Sequence, residues 1–223
     1  MSGRYCVVIP AYNAEQTIGD VVQGVKHHGF DAVVIDDGSR DRTAAIASAK
    51  GALVISHLSN QGKGRALRTG FEYILRSGYD GAITMDSDGQ HDPADISHLI
   101  HEGEVQHAGI AIGNRLTNGS PMPRARRWTN RFMSSIVSAI ARQSIPDSQC
   151  GFRFIRKELL RDVPLKTARY DSETEILFGA AAKRWKIISV PIRTIYRNER
   201  SHIQPVRDGL RFARLILRRL AGR

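Results

Sequence analysis

Five short apolar runs in the first half of the chain alternate with stretches that have helical patterns. The runs are YCVVIP (5–10), DAVVIDDGS (31–39), ALVISHLS (52–59), GAITMDSD (81–88) and GIAIGNR (109–115). The segments that separate them read as helices, at 14–29, 40–51, 62–78 and 93–107. Strands that are apolar on both faces and separated by helices are typical of a parallel sheet covered on both sides. We therefore predict an α/β fold.

Polar side chains follow each of these five strands. They are Asn13, Asp36, Asp37, Asn60, Asp86, Asp88 and Arg115. In open α/β sheets, ligands bind outside the carboxyl ends of the strands. The pattern therefore predicts one binding site at that edge of the sheet.

After residue 116 the alternation changes. A turn-rich basic connector (116–127) precedes a predicted helix (128–144), a loop and strand (147–160), a helix (171–185), a strand (186–196) and a polar loop. We predict one domain over 1–204, divided into a first half (1–115) and a second half (116–204). A separate basic helix is predicted over 205–223.

The formal charge is divided unevenly between the two halves. Residues 1–118 carry 10 basic and 14 acidic side chains, and residues 119–223 carry 23 and 8, so the net charges are −4 and +15. Surface arginines need no ligand, and arginine supplies most of the basic residues. An excess confined to one half nevertheless indicates that the first half handles a cation-bound ligand and the second an anion, nucleic acid or membrane.

The cysteines and the hydropathy of the sequence indicate in which cellular compartment the protein is expected. Cys6 and Cys150 have no metal-binding spacing, and a disulfide framework is not expected. The sequence has no run of 18 apolar residues and no signal-peptide core at its N-terminus. We therefore expect a cytoplasmic protein whose attachment to a membrane, if any, is peripheral.

The segment MDSDGQHDP (85–93) crowds acidic side chains after a buried strand. Asp86, Asp88 and Gln90 offer oxygens at alternate positions, which suits Mg²⁺ or Mn²⁺ with positions left open for substrate phosphates. An isolated D-x-D pattern also arises from capping or chance, but its location at a strand end favours the metal. His91 is either a further ligand or a packing residue.

Seven motifs occur in a fixed order over about residues 5–200. They are VVIPAYNAEQTI, VVIDDGSRDRT, NQGKGRALRTGF, MDSDGQHDP, GNR, CGFRFIRKEL and VPIRTIY. In these motifs the chain resembles family 2 glycosyltransferases of the GT-A type, most closely the dolichyl-phosphate and polyprenyl-phosphate mannose synthases. The resemblance implies a mixed, mostly parallel sheet with helices on both faces.

The resemblance also implies roles at the donor site. Pro10, Tyr12, Asp36 and Asp37 would cradle the nucleotide, with an aspartate accepting hydrogen bonds from base or ribose. Asp86, Asp88 and Gln90 would hold the metal on the diphosphate, with Asp88 as a catalytic residue. Lys63 would reach the phosphates or else lie on the surface. Ala14 stands where the family commonly has Glu, which leaves the nucleotide base open.

For the acceptor, the resemblance implies polyprenyl phosphate. Arg115 and Arg131 would bind its phosphate and act in catalysis, and Arg197, Ser201 and His202 would close over the site. Arginine suits this role because its fork binds phosphate bidentately. His202 replaces the lysine common in the family, which leaves the identity of the acceptor open.

Carboxylates in a third region allow a different acceptor. Family members that glycosylate hydroxyl groups use a general base from the region that here reads YDSETEI, with Asp171, Glu173 and Glu175. The same side chains can instead cap a helix or pair with arginines, and Asp147 faces the same choice.

The C-terminal segment PVRDGLRFARLILRRLAGR has an amphipathic helical pattern. Arg207, Arg211, Arg214 and Arg218 fall on one stripe, opposite an apolar arc. Such a helix either contacts an anionic membrane surface on the cytoplasmic face or docks on protein.

Four functions are compatible with these patterns and are given in order of preference. The first is a metal-dependent inverting transferase that moves mannose from GDP-mannose to polyprenyl phosphate. The second is a transferase that uses a UDP-sugar, with polyprenyl phosphate or a soluble hydroxyl acceptor. A nucleic-acid-binding protein is disfavoured because the basic half has no recognisable reading motif, and a non-catalytic sugar-nucleotide sensor is the weakest option.

Overall fold

The computed structural model describes residues 3–116, 122–165 and 171–195. Its strands are β1 (Tyr5–Ala11), β2 (Asp31–Asp36), β3 (Leu53–Ser56), β4 (Gly81–Thr84), β5 (Ile110–Asn114), β6 (Arg153–Arg156) and β7 (Ile187–Pro191). Its helices are α1 (Ile18–His27), α2 (Thr43–Ala49), α3 (Lys63–Arg76), α4 (Ile96–Val105), α5 (Arg124–Ala141), α6 (Lys157–Asp162) and α7 (Asp171–Ala182). A 3₁₀ turn at Pro93–Asp95 precedes α4.

The seven strands form one sheet in the order β3-β2-β1-β4-β6-β5-β7. All neighbouring pairs are parallel except those of β6, which runs antiparallel to both β4 and β5. The mixed, mostly parallel sheet is therefore confirmed. The carboxyl ends of β1, β2, β4 and β5 lie along one edge, as the apolar runs predicted.

Helices cover both faces of this sheet. The side chain of Val8 in β1 points toward Gly70 of α3, and Tyr5, three residues earlier on the same strand, bonds through its hydroxyl to Glu104 of α4. Because side chains alternate between the faces of a strand, α3 and α4 lie on opposite sides. The strand residues between the helices are almost wholly buried, as their continuous apolar runs predicted.

Several elements begin or end elsewhere than the sequence predicted, and a local hydrogen bond explains one of these shifts and a glycine turn another. Helix α2 begins at Thr43 rather than near residue 40, because the Asp41 carboxylate accepts the Thr43 backbone N–H at 2.9 Å. Strand β4 ends at Thr84 rather than at 88, because the chain turns through Gly89, whose φ is +73°.

The second half differs more from the prediction. Helix α5 begins at Arg124, inside the predicted connector, because Pro123 (φ −53°) directs the chain into a run of good helix formers. Helix α6 follows β6 where only a loop and strand were predicted. Residues 117–121, the 197–202 loop and the 205–223 helix lie outside the described residues, so the predicted domain boundaries stay predictions.

Both cysteines are buried free thiols in this fold. Burial raises the pKa of Cys6 and of Cys150 to about 12. Both side chains therefore act as small core residues, in agreement with the absence of a disulfide or metal spacing.

The close approach of α3 to β1 gives a test of the packing. A Cβ added at Gly70 would overlap the Val8 side chain. We expect Gly70→Ala to lower the free energy of unfolding by about 1–3 kcal/mol, measured by urea denaturation, because overpacking a core forces shifts. Arg68→Ala, at an exposed position of the same helix, is the control and should change it by under about 0.5 kcal/mol. Equal effects of the two changes would contradict the close helix–strand contact.

Candidate functional site

The loops after β1 and β2 are joined by hydrogen bonds at the carboxyl edge of the sheet. The Asn13 N–H donates to Ser39 Oγ at 2.9 Å, and the Arg40 N–H donates to Asn13 Oδ1 at 2.9 Å. Asn13 has a φ of 49°, a left-handed conformation that asparagine tolerates better than most residues. The Tyr12 ring, next to it, is 46% exposed. The edge therefore presents an aromatic surface beside a fixed pair of loops.

Asp37 holds the loop that leads into α3. Its carboxylate accepts the backbone N–H groups of Gln61 (3.0 Å) and Gly62 (2.7 Å) and contacts His57 Nδ1 at 2.7 Å. The side chain is 3% exposed. Asp36 is similarly buried and accepts the Ser39 N–H at 3.2 Å. The structure thus gives both predicted nucleotide-binding aspartates partners within the protein, and they shape the loops of the site.

Pro10 is a buried member of β1, opposite Ile35 of β2. Pro10 is therefore part of the strand that supports the site, whereas the exposed Tyr12 ring lies beyond the end of the strand. Of the four side chains predicted to cradle a nucleotide, Tyr12 is the exposed one.

Lys63 occupies the centre of the site. Its Nζ lies 2.6 Å from Asp86 Oδ1 and 3.2 Å from Glu173 Oε1, and so connects the first residue of α3 with the end of β4 and with α7. The three side chains are largely buried, with 19%, 25% and 16% of their surface exposed. The positive group next to the crowded carboxylates is therefore, in this structure, a lysine of the protein itself.

The contacts of this cluster keep Asp86 and Lys63 charged. Burial alone would raise the pKa of Asp86, but the Lys63 ammonium, with help from His91, holds it well below its usual range. Burial alone would lower the pKa of Lys63, but the charges of Asp86 and Glu173 raise it. Asp86 and Lys63 therefore stay ionised throughout the physiological pH range.

The acidic loop is fixed by hydrogen bonds to two other segments and by one within the loop. Thr17 donates its hydroxyl to the Ser87 carbonyl at 2.7 Å, and the Ile195 N–H donates to the Gln90 carbonyl at 2.9 Å. Asp88 Oδ1 accepts the Gln90 N–H at 2.9 Å, which closes the turn. His91 is buried, lies 3.5 Å from Asp86 through Nε2 and packs on Phe152.

The side-chain oxygens of the acidic loop suit a hard divalent cation that takes some of its ligands from the protein and others from a substrate. Within the described part of the chain no group of three or more His, Cys, Asp or Glu side chains surrounds a common point. Asp86, Asp88 and Gln90 offer two carboxylates and an amide, all oxygen ligands. Mg²⁺ commonly takes one or two protein carboxylates and completes its shell with water and phosphate. A Cβ at Gly151 would lie only 2.6 Å from the Asp86 carboxylate. Only glycine at this position therefore leaves enough room for the carboxylate.

Arg115 is paired with Asp147. Its Nε and Nη2 donate to the two carboxylate oxygens at 2.8 and 3.0 Å, and its backbone N–H donates to Oδ2 at 3.1 Å. Arg115 is 8% exposed and Asp147 is 1% exposed. Of the other residues predicted to bind the acceptor, Arg131 is exposed on α5, and Arg197, Ser201 and His202 lie outside the described residues.

Arg153 supports the site and was not singled out from the sequence. It is 1% exposed and donates three hydrogen bonds to backbone carbonyls, those of Cys150, Ser148 and Glu173. It thereby fastens the start of α7, which carries Glu173, to the loop that carries Asp147. The sequence signal that could have identified it is an arginine inside the apolar run CGFRFI. Such an arginine is expected to be buried, and a buried charge needs several hydrogen-bond partners.

Comparisons with known proteins agree with this architecture. The family model described as Glycosyl transferase family 2 matches residues 6–163. A UDP-N-acetylglucosamine–dolichyl-phosphate N-acetylglucosaminyltransferase of Methanococcus voltae is 32% identical, over 85% of this chain and 85% of the relative. A polyprenol monophosphomannose synthase of Mycolicibacterium smegmatis is 30% identical, over 85% of this chain and 76% of the relative.

Solved structures share the fold. The glucosyl-3-phosphoglycerate synthase of Mycobacterium tuberculosis, crystallised with Mn²⁺, UDP and glucosyl-3-phosphoglycerate, superposes with a TM-score of 0.75 at 21% identity. The match covers 99% of this chain and 80% of that protein. The likeness establishes the GT-A fold for the chain.

The Arg115–Asp147 pair gives a stability prediction. Asp147→Ala would leave a buried guanidinium without its partner, so we expect the free energy of unfolding to fall by about 3–5 kcal/mol in urea denaturation. Asp162→Ala, which removes an exposed carboxylate bonded to Trp185, should cost under about 1 kcal/mol. A cost for Asp147→Ala as small as that of the control would contradict a structural role for the pair.

The Asp37 bonds give a second prediction. Asp37→Asn places an amide against backbone donors, so we expect the Gln61 and Gly62 amides to lose protection in hydrogen exchange, by about tenfold or more. Asp31→Asn, at the exposed start of β2, should leave those two amides unchanged. Unaltered protection in Asp37→Asn would mean that its carboxylate does not hold the loop.

Proposed function

The chain belongs to glycosyl transferase family 2, and from this premise we propose that it transfers a hexose from a nucleotide sugar to polyprenyl phosphate with inversion. The observation that carries the proposal is the charged site at the carboxyl end of β4, where Asp86 meets Lys63 of α3, which in turn contacts Glu173 of α7. The relatives named as dolichyl-phosphate and polyprenol transferases support the choice of acceptor.

We assign the metal to the acidic loop. Asp86, Asp88 and Gln90 would hold Mg²⁺ or Mn²⁺, which when bound neutralises charge on the leaving diphosphate. Structures of the Mycobacterium tuberculosis synthase with Mn²⁺ or Mg²⁺ support divalent metal use in this fold. Lys63, next to Asp86, provides a further positive charge on the same side of the site.

GDP-mannose is the donor that we propose first. The mannose synthase among the relatives supports it. A UDP-sugar is the second candidate, favoured by the Methanococcus voltae relative, whose name specifies UDP-N-acetylglucosamine, and by the UDP-bound synthase structures. The Tyr12 ring would lie against the nucleotide, while Pro10, Asp36 and Asp37 fix the loops around it.

A phosphate acceptor suits the chemistry of the site. A polyprenyl phosphate oxygen is already ionised and attacks the anomeric carbon without a general base, so positioning and charge stabilisation carry the rate. Glu173, the carboxylate that a hydroxyl acceptor would need as base, is instead held by Lys63 at 3.2 Å. Its place in an ion pair favours the phosphate acceptor.

We assign the acceptor phosphate to the basic second half. Arg131, Arg197, Ser201 and His202 remain the candidates, together with Arg115. Because Arg115 already donates Nε and Nη2 to Asp147, its Nη1 is the part left to reach a phosphate. The pair with Asp147 would hold that nitrogen in place.

A lipid acceptor requires contact with a membrane. Among the described residues, no helix is long and apolar enough to cross a bilayer. We propose peripheral attachment to the anionic cytoplasmic face of a membrane, where the charge of +15 over residues 119–223 is attracted.

A transfer assay tests the function. With GDP-mannose or UDP-glucose, Mn²⁺ and a polyprenyl phosphate in detergent, we expect radiolabelled sugar in the lipid phase. Asp88→Asn should lower turnover about a hundredfold or more, since a charge stabiliser of the transition state is lost. Absence of transfer by the folded wild-type protein from either donor would contradict the proposed activity.

Glu173→Gln distinguishes the two classes of acceptor. With polyprenyl phosphate we expect turnover to stay within about tenfold of wild type, whereas loss of a required general base costs about 10²–10⁴-fold. A loss in that larger range would favour a hydroxyl acceptor.

A further inference from the structure

Helix α5 has a buried face and, directly opposite, an exposed aromatic face. Asn130, Ser134, Val137 and Ala141 form the buried face. At about 100° per residue, Trp128 and Phe132 lie on the other side of the helix, one turn apart. They are 77% and 66% exposed.

This aromatic pair is unusual within the described residues. The other large apolar side chains that are exposed there do not pair on one helix face; they are Tyr12, Leu53, Leu58, Val105 and Ile195. Single exposed apolar residues need no explanation, but two adjacent aromatic rings on one helix face indicate a binding surface. We call the surface formed by Trp128, Arg131, Phe132 and Ser135 the outer face of α5.

The charge of α5 identifies the kind of partner. Its sequence, RARRWTNRFMSSIVSAIA, has four arginines in its first eight residues and neither Asp nor Glu. Tryptophan, phenylalanine and arginine together are typical of helices that lie in the interface of an anionic membrane. A twofold contact between two copies would instead set this cationic face against itself.

The position of α5 connects this surface to the site. Its buried Ser134 lies 3.1 Å, hydroxyl to hydroxyl, from Ser148, which follows the Asp147 that holds Arg115. A membrane in contact with the outer face would therefore lie about one helix diameter, ~10 Å, from the part of the site assigned to the lipid phosphate.

We propose that the outer face of α5 docks the protein on an anionic bilayer, with Trp128 and Phe132 inserted at the level of the headgroups. The choice of a lipid bilayer as partner rests on the proposed function, in which the acceptor is a membrane lipid. The docking is independent of the donor nucleotide and of the metal.

Tryptophan fluorescence tests the docking directly. The chain has two tryptophans, Trp128 and Trp185, so Trp185→Phe leaves Trp128 as the reporter and Trp128→Phe leaves Trp185. With vesicles of phosphatidylglycerol and phosphatidylcholine, we expect a blue shift for Trp128 and quenching by brominated acyl chains. Trp185, bonded to Asp162 within the protein, should show neither. Vesicle binding with an unchanged Trp128 spectrum would overturn the proposal.

Co-sedimentation with the same vesicles measures the contribution of the face. We expect Trp128→Ser/Phe132→Ser to lower the vesicle partition coefficient about tenfold or more, because two interfacial aromatic side chains are lost. Val105→Ser, at an exposed apolar position of α4, is the matched control and should bind as wild type. Binding should weaken with added salt. An unchanged partition coefficient in the double variant would overturn the proposal.

Light scattering, which measures the oligomeric state, tests whether a second copy of the chain binds the outer face of α5 instead. If wild type is a dimer and the double variant a monomer with unchanged vesicle binding, the face contacts a second copy and the proposal is wrong.

Transfer measurements separate this proposal from the proposed function. The double variant should keep wild-type turnover on a short-chain, water-soluble prenyl phosphate and lose it on an acceptor embedded in anionic vesicles. Equal turnover of wild type and double variant on the embedded acceptor would overturn the docking. If wild type transfers to neither acceptor, the proposed function fails, and the fluorescence result alone decides the docking.

Discussion

The ion bridge from Lys63 to Asp86 and Glu173 is the interaction on which the site depends. It joins three elements that are far apart in the sequence: the start of α3, the end of β4 and helix α7. Two carboxylates face one ammonium, so the cluster keeps an excess of negative charge next to an open edge of the sheet. A buried cluster with that balance favours the approach of a further cation. The lysine compensates part of the charge, which explains how these acids are tolerated at the end of a buried strand.

The location of the site at the carboxyl ends of the strands could be predicted from the sequence, but the partners of its charged residues could not. Continuous apolar runs such as YCVVIP that alternate with helical segments predict buried parallel strands, and the parallel order places their polar ends together, so the site could be located. The partner of Arg115 could not be found this way, because Asp147 lies 32 residues away and only the fold brings them together. The same holds for Lys63 and Glu173, which are 110 residues apart. Short helices such as α6 were missed because six residues carry too little periodicity.

The two halves of the chain share one sheet but present different surfaces. The first half supplies acidic and aromatic groups at the strand ends, and the second supplies arginines, some of them fixed by internal pairs. Arg153 shows that part of the basic excess is structural, since it is buried and bonded within the protein. The remaining charge, together with the aromatic residues of α5, is what a membrane-bound anionic acceptor would meet.

The proposed function depends most directly on metal-dependent binding of a nucleotide sugar at the acidic loop. Calorimetric titration of the full chain with GDP-mannose and with UDP-glucose, with and without Mn²⁺, measures this binding without any acceptor. We predict that one donor binds only when Mn²⁺ is present and that Asp88→Ala abolishes the Mn²⁺-dependent part. Binding of a donor with equal affinity in the absence of Mn²⁺, or no binding of either donor to the folded protein, would contradict the assignment of the acidic loop.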